Sequence, residues 1–376
     1  QKEGALLQLI DVWATGEAAA SLGFEASRVF DVLDPLEIEK DKILAEQGVH
    51  GGRAQFRELR KLVGKAMEFL ELQEQPEGER NAARYEELKN DTLVQYLVVD
   101  AVGNVLCPAC KLWNTGHGTN MMREAVSLMG GYGITEDCPG FLGQKWTDAQ
   151  LEATYEGPEA VQRRQLSVTM TQPLFLKQLD MWKNELREYA GTKPGTGACV
   201  LATAIDLWMW TLEHLQKAKD ADGKRLYSTS RHGVCFPMGD AISNIVAARS
   251  FIMDVKELAE KGPENPNLAE GIEGLVNFMT DLSYVQAAKA AGEVGRICAE
   301  LVFGYNLHPA WTSADCESCG DLRCKEGPCV SLQEFNDFTQ MRAKLDGCLT
   351  GVRLAKDRAA LALRDVMIPE ALDYPL

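Results

Sequence analysis

Apolar residues recur at helical spacing along almost the whole chain, and alternating β-branched runs are scarce. That combination excludes most sheet-based folds, because a half-buried strand needs a period of two and a core-facing helix a period of 3.6. Residues 5–34 place Leu6, Leu9, Ile10, Trp13, Ala20, Phe24 and Phe30 on one such stripe. Asp34-Pro35 is expected to end that helix, since proline has no N–H to give to the ladder. Arg53–Leu72 repeats the pattern with Phe56, Leu59, Leu62, Met67 and Leu70. The segment between these helices, rich in Glu, Lys and Gly, reads as a surface connection. A charged stretch, 73–90, then leads to Leu93–Met129, apolar enough to form a central pair of bundle helices.

Further helices are predicted over Pro158–Met170, with proline at the start where a missing N–H is harmless, and over Ala198–Lys219. Others follow over Asp240–Lys261, Leu268–Glu300 and Leu332–Val366. The Gly-rich stretch 191–197, GTKPGTG, marks the expected domain boundary. The expected architecture is all-α: a helical bundle over 1–175, followed by a second helical bundle over 198–376 carrying a Cys-rich loop at 312–331.

At 376 residues the chain can bury a substantial core, and its 45% hydrophobic content suits a globular fold. A net charge of −16 disfavours nonspecific nucleic-acid binding. No uninterrupted apolar run approaches membrane-spanning length, and Gln1 opens an amphipathic stretch rather than a leader, so the expected location is cytoplasmic. In such a chain eleven cysteines point to metal, redox or core roles before disulfides.

The densest chemistry lies between Met129 and Gln165, in MGGYGITEDCPGFLGQKWTDAQLEATYEGPEAVQRRQ. Glycines at 130, 131 and 133 let a ligand approach backbone N–H groups closely. Downstream, Glu156 stands between Tyr155 and Gly157 just before a helix. A carboxylate can take a proton from carbon when apolar neighbours disfavour its charged form. An isolated glutamate near a helix N-terminus would otherwise be read as a surface charge favoured by the helix dipole.

The order and spacing of these residues resemble the C-terminal part of the flavin-dependent acyl-CoA dehydrogenases, over roughly the first 175 residues. The resemblance implies that Glu156 removes the substrate α-proton while FAD accepts the β-hydride, with Tyr155 and Gly157 beside the substrate. It further implies that Ser127, Met129, Gly130 and Gly131, then Pro158, Glu159 and Ala160, contact FAD held partly by another subunit. Leu106–Trp113, LCPACKLW, is similar to the helix before the turn in the larger members with a C-terminal extension, and Ala198 onward would correspond to that extension. The family usually has Gln where Ser127 stands, Arg where Thr147 stands and Thr where Pro158 stands. Members also carry an N-terminal helical domain and a β-domain. The chain is therefore expected to be the C-terminal piece or one subunit of the enzyme.

Four thiols, Cys316, Cys319, Cys324 and Cys329, share one short loop, CESCGDLRCKEGPC. Such spacing suits a [4Fe–4S] cluster or, alternatively, tetrahedral zinc. An enzyme that must pass electrons onward favours iron–sulfur. Cys107 and Cys110 form a CxxC that could be a redox pair at a helix start, although an apolar helix favours simple packing. Cys138, Cys199, Cys235, Cys298 and Cys348 read as buried small hydrophobes. His232 and Cys235 have a metal-like spacing without companions. His117 reads as structural, with flavin contact the lesser reading, and Arg163-Arg164 as a solvated helix face.

The resulting expectation is flavin-dependent α,β-dehydrogenation of an acyl-CoA thioester in fatty acid metabolism. The acceptor would be an electron-transfer flavoprotein or another redox partner, and the enzyme a homo- or hetero-oligomer. The alternative is a noncatalytic subunit that completes a partner's flavin site and relays electrons through a metal centre. A purely structural helical scaffold leaves the Tyr-Glu-Gly context unexplained.

Overall fold

The computed structural model describes residues 3–220, 222–268, 270–305 and 330–366. Helices account for nearly all of them, and the described residues contain no strand, only an isolated bridge between Lys219 and Arg225. The first helix, α1 (Glu3–Glu46), does not stop at Pro35 as expected. An interior proline costs about 3 kcal/mol, but Leu33 and Leu44 are both buried on either side of it, so packing holds the helix through. Buried Lys40 adds to that hold, its Nζ lying 3.3 Å from Glu37 and 4.6 Å from the ring centroid of Tyr96.

The second helix, α2 (Gly52–Glu74), follows the predicted stripe, whereas the charged stretch after it contains a short helix, α3 (Ala82–Lys89). Asn81 starts α3 by accepting from the Arg84 N–H at 3.1 Å, and Leu88 buries against α2. The expected helix pair over 93–129 is a single rod. α4 (Thr92–Trp113) runs through a π-helical turn at Asn114–Gly118 into α5 (Thr119–Leu128), so no loop reverses the chain there. This 37-residue run is the one described helix long and apolar enough to cross a membrane, yet half of its most apolar window is buried inside the fold.

Two short 3₁₀ turns follow, then α6 (Leu142–Glu152), α7 (Glu159–Thr169) and α8 (Pro173–Thr192). Beyond the 191–197 break come α9 (Ala198–Lys217), α10 (His232–Lys261) and α11 (Ile272–Phe303). The last predicted helix divides into α12 (Leu332–Gly347) and α13 (Val352–Val366), because Gly351 sits at φ +93°.

The main core does not divide at 191–197. Ile10, Leu22, Leu106, Leu166, Leu179, Trp208, Ile242, Val294 and Leu363 belong to one buried cluster that draws on α1, α4 and α7–α11 as well as α13. Polar ties cross the same divide. Glu25 of α1 receives Arg249 of α10 at 2.6 Å, with that guanidinium 4.0 Å from the Trp182 ring centroid. Asp11 likewise pairs with Lys356 of α13 at 2.6 Å. A smaller core, Ala66, Phe69, Leu70, Leu88, Val94 and Leu174, joins α2 and α3 to α4 and α8.

Candidate active site

The irregular turn between α6 and α7 takes its shape from α4. Near the end of α4, half-buried Lys111 donates to the carbonyl oxygens of Tyr155 at 2.5 Å and Glu156 at 3.0 Å. Its Nζ also lies 5.1 Å from the Tyr155 ring centroid. One cation therefore satisfies two successive acceptors that no helix or strand could have paired. From the other side, Gln162 of α7 donates to the Gly157 carbonyl at 2.8 Å. Gly157 sits at φ +90°, a conformation that favours glycine, and a Cβ there would also have to displace the Gln162 amide 2.3 Å away.

The braced turn holds Glu156 at φ +48°, in the left-handed region where a side chain costs of order 1–2 kcal/mol. Strain of this kind persists only where neighbours fix the backbone, and it concentrates at functional sites. The Glu156 side chain is exposed, and its carboxylate takes no hydrogen bond from the described residues. Tyr155 donates its hydroxyl to Glu152 at 2.9 Å. The turn thus presents a carboxylate outward while its own backbone is tied inward.

The glycine turn forms the second half of the site. Met129 ends α5, and Gly130–Ile134 continues as a 3₁₀ turn. Ser127, Met129, Gly130 and Gly131 are all exposed. A Cβ added at Gly130 or Gly131 would meet nothing within 4 Å, so their backbone is open to a ligand. Gly133 differs, because a Cβ there would lie 2.6 Å from the Val126 carbonyl oxygen. A Cβ on Gly143 would lie 2.9 Å from the Ile134 Cα. Gly133 is thus buried against the end of α5, which corrects the ligand approach expected there, and Gly143, which lets α6 settle on the turn, was not singled out by sequence reasoning.

Pro158 occupies the N-cap of α7, with Glu159 and Ala160 in the first turn, where N–H groups lack intrahelical acceptors. Glu159 is engaged inward, accepting from Arg163 at 2.9 Å, and Arg163 also donates to Asp240 of α10 at 2.8 Å. Arg163 is therefore a half-buried link between helices, which corrects the expected solvated face; Arg164 is exposed as expected. Burial raises the Asp240 carboxyl above its ordinary range, against the opposing pull of Arg163. The two halves of the site rest on different supports. The glycine turn packs on α5 and α6, whereas α7 packs on α4 and α10. Between Met129 and Val168 large apolar side chains stand exposed, Ile134 at 66%, Phe141 at 64% and Leu151 at 62%. A concentration of this kind marks a surface that meets something else.

His117 sits in the π-helical turn, its ring 4.9 Å from that of Trp113. Burial, with help from nearby Lys289, pushes its pKa down to about 4, and its Nε2 has no hydrogen-bond partner among the described residues. It lines a polar cleft of about 420 Å³ with Glu159, Arg163, Asp240, Asn244 and Glu293. His117 thus faces α10 and α11 at the junction between the two halves of the chain.

The cysteines divide sharply. Cys316, Cys319, Cys324 and Cys329 lie outside the described residues, and among the described ones no cluster of His, Cys, Asp or Glu could hold a metal. Cys107 and Cys110 lie in the last two turns of α4, not at a helix start, so the redox-pair reading, the lesser of the two, finds no lowered thiol there. Burial instead raises both, Cys110 to about 11. Cys138, Cys235 and Cys298 are buried as expected, but Cys199 is exposed and Cys348 half-exposed. His232 stacks on Phe236 with centroids 4.2 Å apart.

Lys111 and Gln162 were given no role on sequence grounds. Gln162 had a local signal, five residues from Gly157, but Lys111 is brought to the turn only by the fold.

Comparison with known proteins agrees with the motif. Residues 54–170, from early α2 to the end of α7, match the family model of the acyl-CoA dehydrogenase C-terminal domain. That span contains both turns and Lys111, while α1 and α8–α13 lie outside it. Searches of curated proteins and of solved structures returned no match. Over residues 54–170, then, this chain, helical through its described residues, is similar to the C-terminal domain of the acyl-CoA dehydrogenases.

Proposed function

We propose that this chain supplies the α-proton base, Glu156, for flavin-dependent dehydrogenation of an acyl-CoA thioester. The observation that carries the reading is the turn itself. Lys111 and Gln162 absorb its backbone polarity, leaving Glu156 in a strained left-handed conformation with its carboxylate free and outward. A carboxylate held this way can accept a proton from carbon, and the fixed backbone limits the reorganisation needed at that moment.

A flavin dinucleotide suits the residues present at the glycine turn, where Gly130 and Gly131 leave room for close approach and α5 ends beside them. When bound, the flavin supplies the hydride acceptor. Ser127 and Met129 would flank it there, and the first N–H groups of α7 at Glu159 and Ala160 would favour its phosphates. Lys111 fixes where the Glu156 carboxylate stands, and Tyr155 and Gly157 shape the approach on either side. Because Glu156 is exposed, the apolar cover that excludes water must come from a further surface, which the exposed Ile134, Phe141 and Leu151 are suited to meet. An oligomer in which another polypeptide covers this face follows from the same observation.

One feature of α7 favours a noncatalytic, site-completing role instead. Pro158 offers a dinucleotide neither a hydroxyl nor an N–H, and the Glu159 carboxylate adds negative charge where phosphate would lie. Two substitutions separate the readings in the assembled holoenzyme. Glu156→Gln keeps the shape and removes the base, so turnover is expected to fall by about 10²–10⁴-fold with flavin content unchanged. Lys111→Met leaves the base but frees the turn, and should lower kcat more than it alters the substrate KM. Near-normal turnover in Glu156→Gln would sink the catalytic role and leave the site-completing one.

A further inference from the structure

Two cysteines that lie 149 residues apart in sequence meet at the surface, their Sγ atoms 3.6 Å apart. Cys199 belongs to the first turn of α9 and is exposed; Cys348 caps the C-terminus of α12 and is half-buried. Neither position is loose. Gly197, at φ +83°, lets the start of α9 lie against α11 so closely that a Cβ there would stand 2.5 Å from the Ala287 Cβ. The Tyr284 hydroxyl of α11 lies within hydrogen-bond distance of the carbonyl oxygens of Cys348, at 2.9 Å, and Thr350, at 2.6 Å. One helix therefore fixes both sulfurs. Packing alone does not account for them, because Cys199 is exposed, and no third ligand among the described residues makes a metal site.

We propose that Cys199 and Cys348 are a redox-active dithiol, which hydrogen peroxide oxidises to a disulfide joining α9 to the α12–α13 corner. In the first step one thiolate attacks a peroxide oxygen, the O–O bond breaks, and the sulfur becomes a sulfenic acid as water leaves. In the second the other thiolate attacks that sulfur, the S–O bond breaks and a second water departs. Two thiols and one hydrogen peroxide thus give one disulfide and two waters. The sulfurs need only close from 3.6 Å to the ~2.05 Å of a disulfide. Burial and the neighbouring sulfur hold the Cys199 proton tightly, so the first step is slower than at a catalytic thiolate. The second thiol decides the outcome, because it captures the sulfenic acid before further oxidation.

The test treats the whole protein with graded hydrogen peroxide, alkylates the remaining thiols and maps peptides without reduction. Exposed Cys107 is the internal control. The expected result is a Cys199–Cys348 cross-link that outweighs every other pairing, reverses with dithiothreitol, and loses its preference when oxidation is done in denaturant. Cys199→Ser and Cys348→Ser should each abolish the cross-link and leave the remaining thiol as a sulfenic acid that dimedone traps. Oxidation of Cys107 while Cys199 and Cys348 stay reduced would overturn the proposal, as would preferential pairing of Cys199 with another cysteine.

Discussion

At the scale of single residues, the sharpest electrostatic commitment is His117. Its ring is neutral in the folded chain because burial and Lys289 hold its pKa near 4, against an ordinary value of 6.5. The unfolded chain therefore binds a proton first as pH falls. Whatever stability accompanies the neutral ring is complete above pH 6.5 and is lost progressively between 6.5 and about 4. By pH 4.5 the loss approaches about 2.5 kcal/mol, at ~1.4 kcal/mol per pKa unit. His117→Gln removes the titration. The drop in unfolding free energy from pH 7 to 4.5 should then be smaller in the variant by up to about 2.5 kcal/mol, read from denaturant midpoints. Carboxyls that burial raises, such as Asp100, Asp240 and Asp281, act in the opposite sense and cancel in this difference. Equal drops would mean that water reaches the ring and its proton affinity is not lowered by the fold.

At the scale of elements, the glycine turn separates a ligand-facing role from a packing role within a few residues. Gly131→Val points into open space and should leave the melting temperature near that of the parent. If a dinucleotide approaches there, flavin occupancy falls. Gly133→Val meets the Val126 carbonyl at 2.6 Å and should cost about 1–3 kcal/mol whether or not flavin binds. Full flavin retention in Gly131→Val would remove the turn from the cofactor site. The same elements show what the sequence could convey. Stripes such as those of α2, α9 and α11 were legible because burial imposes their spacing, and the Tyr-Glu-Gly turn because its chemistry is local. Continuity through Pro35 was not, since it depends on α1 lying against α4 on both sides of the proline. Nor was the rod from α4 to α5, where a π-turn carries Gly116 and Gly118 without reversing the chain between the two expected helices. The Lys111 brace spans 44 residues and exists only once α4 lies under the turn.

At the scale of the whole molecule, the helices that follow residues 54–170 share their core, and α12 follows the Cys-rich segment directly in sequence. That segment ends at a firm anchor. Val330 is buried, Ser331 and Glu334 form a reciprocal capping box, and Glu334 also meets His214 of α9 at 2.9 Å. Cys329 immediately precedes this anchor in sequence, and four thiols at ligand spacing next to a fixed helix start would pay less ordering entropy on closing around a metal. The expected occupant is a [4Fe–4S] cluster, which gives brown protein with iron and acid-labile sulfide in similar amounts and bleaching by dithionite. Zinc instead gives one tightly held ion and no such colour, and it would assign the loop a structural role. Cys319→Ser or Cys324→Ser should empty the site in either case. If the cluster carries electrons from the flavin, these variants slow reduction of the external acceptor while flavin reduction by substrate keeps its rate. Metal analysis that finds neither iron nor zinc would remove the loop from the redox path and leave the thiols without a metal role.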